Sequence, residues 1–168
     1  MIDNQKFEVV VVGGGPAGLV AALALARLGF ATALVTRESA SGGRADNRTA
    51  ALFTGSITLL RNLGVWDGIA AVSAPIGAIR ILDDTGALLK APEVEFTAAE
   101  IGLDTFGFNV PNSPLVDALL GVARRLPIAV IEAAVSSVVI ASDSVDLALD
   151  TGQRLSARLV VGADGRKS

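Results

Sequence analysis

Four consecutive valines, Val9-Val10-Val11-Val12, lead directly into Gly13-Gly14-Gly15-Pro16-Ala17-Gly18, and a stretch of almost pure alanine and leucine follows. Few folds accommodate that order. An unbroken β-branched run suits a central parallel strand covered on both faces. The glycines interrupt any continuous helix, whereas Pro16 suits a first helical position, where its missing N–H is not needed. The uncharged stretch from Val9 to Ala26 is 18 residues long and just reaches the length of a membrane span. The turn inside it argues instead for a strand, a tight turn and a buried helix, so no membrane span is expected. Gly29 stands where a helix ending near Leu28 needs a left-handed residue. Ala31 to Val35 then reads as the second strand of a β-α-β unit.

The turn fits the G-x-G-x-x-G pattern, placed after a strand and opening a helix as dinucleotide binding requires. Gly13 permits the tight turn. Gly15 has no Cβ to hold a diphosphate away from the backbone, and Gly18 lets helix and strand approach closely. Pro16 and Ala17 begin a helix whose free N–H groups and positive end would face the anion. The plainer reading is a glycine-rich turn in an ordinary α/β protein. At the end of the second strand an acidic residue normally binds the adenosine ribose. Here that strand ends in Thr36-Arg37-Glu38. Thr36 occupies the slot, as a weaker hydrogen-bonding partner, unless Glu38 reaches back. Arg37 either receives the 2′-phosphate of NADP or is a solvated loop charge.

Farther along, the polar Ser39–Asn47 segment reads as a loop, and Ser56 as the cap of a helix carrying Ile57, Leu60 and Leu63 and stopped by Gly64. From Ile76 the pattern turns to strands. Residues 79–82 and 87–90 flank Asp83-Asp84-Thr85-Gly86, a hairpin turn. Asn112-Ser113-Pro114 opens a third helix with Leu115, Leu119, Val122 and Leu126 on one stripe. Arg124 and Arg125 are expected in its last turn, and Pro127 follows. A strand at 128–131 precedes a meander in which Val145, Leu147 and Leu149 alternate with polar or small residues. Asp150-Thr151-Gly152 turns the chain into Leu159-Val160-Val161, which runs into Gly162-Ala163-Asp164-Gly165.

Composition narrows the chemistry. The chain has 168 residues, 14 Lys+Arg against 17 Asp+Glu, and no Cys, His or Tyr. That removes disulfides, thiolate nucleophiles, Ser-His-Asp arrangements and nearly every zinc site. An acidic balance with no basic run leaves no electrostatic footprint for nucleic acid. If the chain takes part in catalysis, a bound cofactor is the expected source of the reactive groups. The missing cysteines and the lack of a basic n-region before the apolar stretch fit a cytoplasmic setting, with peripheral contact at a membrane left open.

Three segments together resemble the group-A flavin-dependent monooxygenases, the aromatic hydroxylases, and above all their ubiquinone-biosynthesis branch. The first is the Gly13–Gly18 turn. The second is Asp46-Asn47-Arg48-Thr49-Ala50-Ala51-Leu52 with Leu63-Gly64-Val65-Trp66, similar to the branch's D-x-R-x-x-A-L stretch and L-G-x-W helix end. The third, residues 159–168, is similar to the family's strand ending in G-A-D-G-x-x-S. The resemblance implies an α/β, Rossmann-like FAD/NAD(P)-binding fold with a parallel sheet plus an antiparallel meander. It implies FAD as cofactor, NAD(P)H as co-substrate, O2, and a small aromatic substrate such as a ubiquinone precursor. It places Arg48 along the FAD diphosphate, Asp164 and Gly165 at the flavin site, and a polar residue, Asn112, near the cofactor. No residue here is assigned as catalytic acid or base.

Family members run to more than twice this length and continue to a G-D motif, so residues 1–168 are expected to be the N-terminal FAD-binding portion, apparently truncated. Residues 76–110 would begin a substrate-domain sheet. A chain without its later partners is expected to expose apolar surface and to self-associate. Two rivals stand beside this reading. One is an NADP-dependent dehydrogenase using Arg37; the other is a non-catalytic flavin-binding module.

Overall fold

The computed structural model describes residues 4–37, 47–86 and 91–165. The chain opens with β1 (Asn4–Val12), α1 (Pro16–Arg27) and β2 (Thr32–Thr36), the expected β-α-β unit. β3 (Thr49–Phe53) and α2 (Thr54–Asn62) follow. Next come β4 (Ala74–Pro75), β5 (Ala78–Ile81), β6 (Val94–Thr97) and β7 (Gly107–Pro111). The last part holds α3 (Asn112–Ala123), β8 (Ile128–Glu132), β9 (Val135–Ile140), β10 (Val145–Leu149) and β11 (Arg154–Gly162).

Six strands form one sheet in the order β8-β2-β1-β11-β10-β9. β8, β2, β1 and β11 run parallel, and β11, β10 and β9 form the antiparallel meander. This is the α/β architecture expected. β1 lies at its centre, with Val12 opposite both Val35 and Gly162. The valine run lacks alternation because both faces of β1 are covered. Val9 and Val11 pack with Leu19 and Leu23 of α1 and Leu119 of α3, whereas Val10 packs with Val35, Leu147 and Leu155 on the other face. Gly29, at φ 90°, takes the left-handed position that ends α1. Arg27 then joins α1 to the end of α2 by donating to the carbonyls of Asn62 and Leu63, at 2.9 and 3.0 Å. Among the described residues, no helix is long and apolar enough to cross a membrane.

Several local expectations change. Ser56 does not cap the second helix; α2 already begins at Thr54, with Phe53 at the cap position. Pairing of β3 with β7 holds the chain extended to Phe53, and the Thr54 hydroxyl donates to the Phe106 carbonyl. Residues 79–82 find a described partner farther along than expected. β5 pairs with Val94–Thr97, and residues 87–90 lie outside the described residues, as do Glu38, Asp46 and nearly all of the 39–47 loop. The turn is wider because Asp83 accepts bonds from both Thr85 and the backbone N–H of Ala91. α3 ends at Ala123, so Arg124 is its C-cap and Arg125 lies beyond its last turn. β1 and β11 are both longer than their apolar cores, since they pair with each other from Asn4↔Arg154 onward.

Candidate functional site

The carboxyl ends of β1, β2 and β11 meet at one edge of the sheet, where a parallel α/β sheet binds its ligands. Two backbone bonds lock the junction: Gly13 N–H donates to Val35 at 2.8 Å, and Ala163 N–H donates to Val12 at 2.7 Å. The strand pairing thereby brings the phosphate-type turn and the Ala163-Asp164-Gly165 turn into contact, although some 150 residues separate them in sequence.

The glycines divide into two roles. Gly13 sits at φ 121°, and a Cβ there would run into the Ala163 carbonyl. At Gly18 a Cβ would strike the Gly13 carbonyl oxygen and come within 3.3 Å of the Ala163 Cβ. These two are glycine because protein occupies the space. Gly15 is different: a Cβ there meets nothing within 4 Å, so its side-chain position opens into the cleft. Gly15 also accepts the first helical bond, from Leu19 N–H at 3.0 Å. No side chain caps this end of α1, and no acid lies in its first turn. Pro16 supplies no N–H, but the next N–H groups and the positive helix end are left for an anion. A diphosphate fits this arrangement in shape and in charge.

The cleft has a volume of about 540 Å³ and is lined by Gly13, Gly14, Gly15, Thr36, Arg37, Asp164 and Gly165, among others. The structure therefore brings together most of the sequence-derived candidates, with Pro16, Ala17 and Gly18 forming the helix start beneath them. Arg48 and Asn112 are not among the lining residues. They are joined to each other instead, Asn112 N–H donating to the Arg48 carbonyl at 3.0 Å where β3 meets the start of α3.

Sequence reasoning missed two features of the lining. Gly14 occupies a free position of the motif, yet a Cβ there would lie 2.9 Å from the Thr36 Cβ, so the residue at the strand end decides it. Ala133 and Ala134, just after β8, also line the cleft, Ala133 N–H donating to the Thr36 carbonyl at 2.9 Å. A pair of small residues directly after a parallel strand was the available signal. A second hollow shares Arg37, Ala133 and Ala134 with the cleft and adds Glu132, Asp150 and Thr151. Among the described residues no cluster of metal-ligating side chains occurs.

The FAD binding domain family matches residues 6–168 of the chain. The 3-demethoxyubiquinol 3-hydroxylase of Escherichia coli K12 is 32% identical over 174 residues, covering 99% of this chain and 43% of that protein. Ubiquinone hydroxylase UbiL of Rhodospirillum rubrum is 34% identical over 170 residues, covering 98% of this chain and 38% of its own length. Among solved structures, p-nitrophenol 4-monooxygenase PnpA of Pseudomonas putida DLL-E4 is similar with a TM-score of 0.76 at 22% identity, covering 98% of this chain and 42% of that one. The flavin-dependent monooxygenase PieE, solved with FAD and substrate, gives a TM-score of 0.76 at 25% identity, covering 97% of this chain and 31% of that one. The chain spans about two fifths of the length of these curated relatives.

Proposed function

This chain belongs to the FAD binding domain family, and from that premise we propose that it forms the cofactor-binding part of a monooxygenase that hydroxylates an aromatic ring, a ubiquinone precursor, using NAD(P)H and O2. The observation that carries the reading is the open position at Gly15 beneath an uncapped helix end, within a chain matched along 98–99% of its length by ubiquinone hydroxylases.

The chemistry supplied by bound FAD is acceptance of hydride from NAD(P)H and delivery of one oxygen atom of O2 to the ring. The protein's own groups bind and orient. The N–H groups at the start of α1 hold the diphosphate, with Gly15 giving it close approach. The family resemblance adds Arg48 as a charge-assisted donor to the phosphates and Asn112, joined to it through the backbone, as a polar group near the cofactor; both lie outside the lining of the cleft, so these two roles rest on the resemblance. Thr36 and Arg37 lie at the adenosine end. Asp164 and Gly165 shape the flavin end, held against Gly13 by the Ala163–Val12 bond. β5 and β6, paired only with each other among the described residues, would begin the substrate-domain sheet. Exposed Ile81, Leu82 and Phe96 there, and exposed Val139 and Ile140 on edge strand β9, are the surfaces available for membrane contact or self-association.

The dehydrogenase reading is disfavoured because the chain leaves β-α alternation after β2 and builds two antiparallel sheets before α3. The test is to load the protein with FAD and follow NADH- and NADPH-dependent oxygen uptake with and without a phenolic substrate, identifying the product by mass. Uptake coupled to gain of one oxygen atom by the ring supports the proposal. Stable FAD binding by the full-length protein with no oxygen uptake would mark a non-catalytic flavin module.

A further inference from the structure

We propose that the adenosine end of the cleft prefers a ribose carrying a 2′-phosphate, so that 2′-phosphorylated adenine dinucleotides compete with FAD for this site. The inference rests on the reading of the cleft as the FAD site and adds a means of regulating its occupancy.

Selectivity for an unmodified ribose normally comes from a carboxylate at the end of the second strand, which accepts bonds from the ribose hydroxyls and repels a phosphate. Among the described residues that carboxylate is missing, Glu38 lying outside them. Thr36 stands in its place, with its side chain turned over Gly14 and its Cβ 2.9 Å from where a Cβ at that position would lie. The described part of the ribose slot therefore has no negative charge of its own. Arg37 follows directly, is exposed, and lines both the cleft and the neighbouring hollow, so it lies where a 2′-substituent would emerge. Among the described residues it has no ion pair or hydrogen bond holding it elsewhere.

Among the described residues three carboxylates lie in the surroundings. Glu132 and Asp150 line the hollow on the β8 side, and Asp150 is already committed, accepting Ala134 N–H at 2.9 Å. Asp164 lies across the cleft, on the turn after β11. None replaces the missing acid at the strand end. A guanidinium presents forked donors that match phosphate oxygens, whereas an unmodified ribose is left with a neutral threonine hydroxyl.

The experiment is calorimetric titration of the protein with ADP-ribose and with 2′-phospho-ADP-ribose, which differ only in that phosphate, followed by competition of each against FAD. The expected result is roughly tenfold tighter binding of the 2′-phosphorylated ligand, as for a charged hydrogen bond, with a difference that shrinks as salt is raised. Arg37→Gln should remove the preference and Thr36→Glu should reverse it. Gly15→Val should abolish both ligands, placing them in this cleft. Equal affinities, a preference for ADP-ribose, or a preference that survives Arg37→Gln or Gly15→Val overturns the inference while leaving the FAD site standing. If neither ligand nor FAD binds, the inference and the reading beneath it fall together.

Discussion

Valine at position 15 and alanine at position 18 should have opposite consequences, although both replace glycines of one motif. At position 15 the new side chain enters empty cleft, and the backbone, at φ −74° and ψ 174°, is one that any residue adopts. Valine is a poorer N-cap than glycine by about 1 kcal/mol, and removing glycine's freedom from the unfolded chain returns about 0.4–1 kcal/mol. Stability should change by less than about 1 kcal/mol, a melting shift within roughly 2–4 °C. Binding should collapse, because the side chain stands where the diphosphate must lie. Losing two charge-assisted bonds at about 1.5–3 kcal/mol each lowers affinity by at least about a hundredfold. At position 18 the Cβ is driven into the Gly13 carbonyl, and Gly13 cannot retreat because Ala163 backbone fills the space behind it. Alanine gains about 1 kcal/mol in helix propensity. Overpacking against backbone lies at or above the upper end of the usual cost of about 1–3 kcal/mol. The net loss is about 2 kcal/mol, or a melting temperature lowered by roughly 4–8 °C. Thermal melts with FAD titration by flavin fluorescence read both quantities. A Gly15→Val protein that binds FAD normally, or a Gly18→Ala protein that melts with the parent, refutes the division of roles.

Arg48→Ala should weaken FAD by about ten- to hundredfold, the worth of one charge-assisted bond, while Arg37→Ala changes FAD affinity far less; fluorescence titration of the two variants ranks them. A pH effect is expected on the β5–β6 connection. The backbone N–H of Ala91, then the hydroxyl and N–H of Thr85, hold the Asp83 carboxyl below its ordinary 3.8. A lowered folded value means the stabilisation is fully present above pH 3.8 and is lost as pH falls through the folded value. Hydrogen exchange should therefore show Ala91 N–H protected at neutral pH and exposed in strong acid, and Asp83→Asn should lose most of that protection at neutral pH. Unchanged protection in the variant would mean that Asp83 does not organise the turn.

Where a segment's partners are its own neighbours, the chain order was enough. The valine strand, the glycine turn, Pro16 and Gly29 specify the β-α-β unit through backbone sterics and period, and these act over a few residues. Its role at a diphosphate is legible for the same reason: the phosphate site is built from consecutive backbone groups. α3 and the meander were also readable, from stripe and alternation. β3 was not, since its residues alternate only between exposed and half-buried and gain their order from pairing with β7. The partner of β5 escaped as well, because Asp83 and Ala91 fix it through a side-chain bond across the connection.

What sequence alone determined is thus the local machinery: a parallel strand, an anion-binding turn, and a chain with no thiol, imidazole or phenol of its own. What only the tertiary structure decided is which distant residues complete the site. β1 pairing with β11 carries Ala163 and Asp164 to Gly13, and β2 pairing with β8 sets Glu132 opposite Thr36 and brings Ala133 N–H onto the Thr36 carbonyl. That same packing makes Gly14 obligatory and leaves Gly15 open, a distinction no spacing pattern contains. The physical reason is range. Dihedral preferences and periodicity act between neighbours, whereas the shape of a cleft depends on excluded volume between segments that meet only after the sheet has formed.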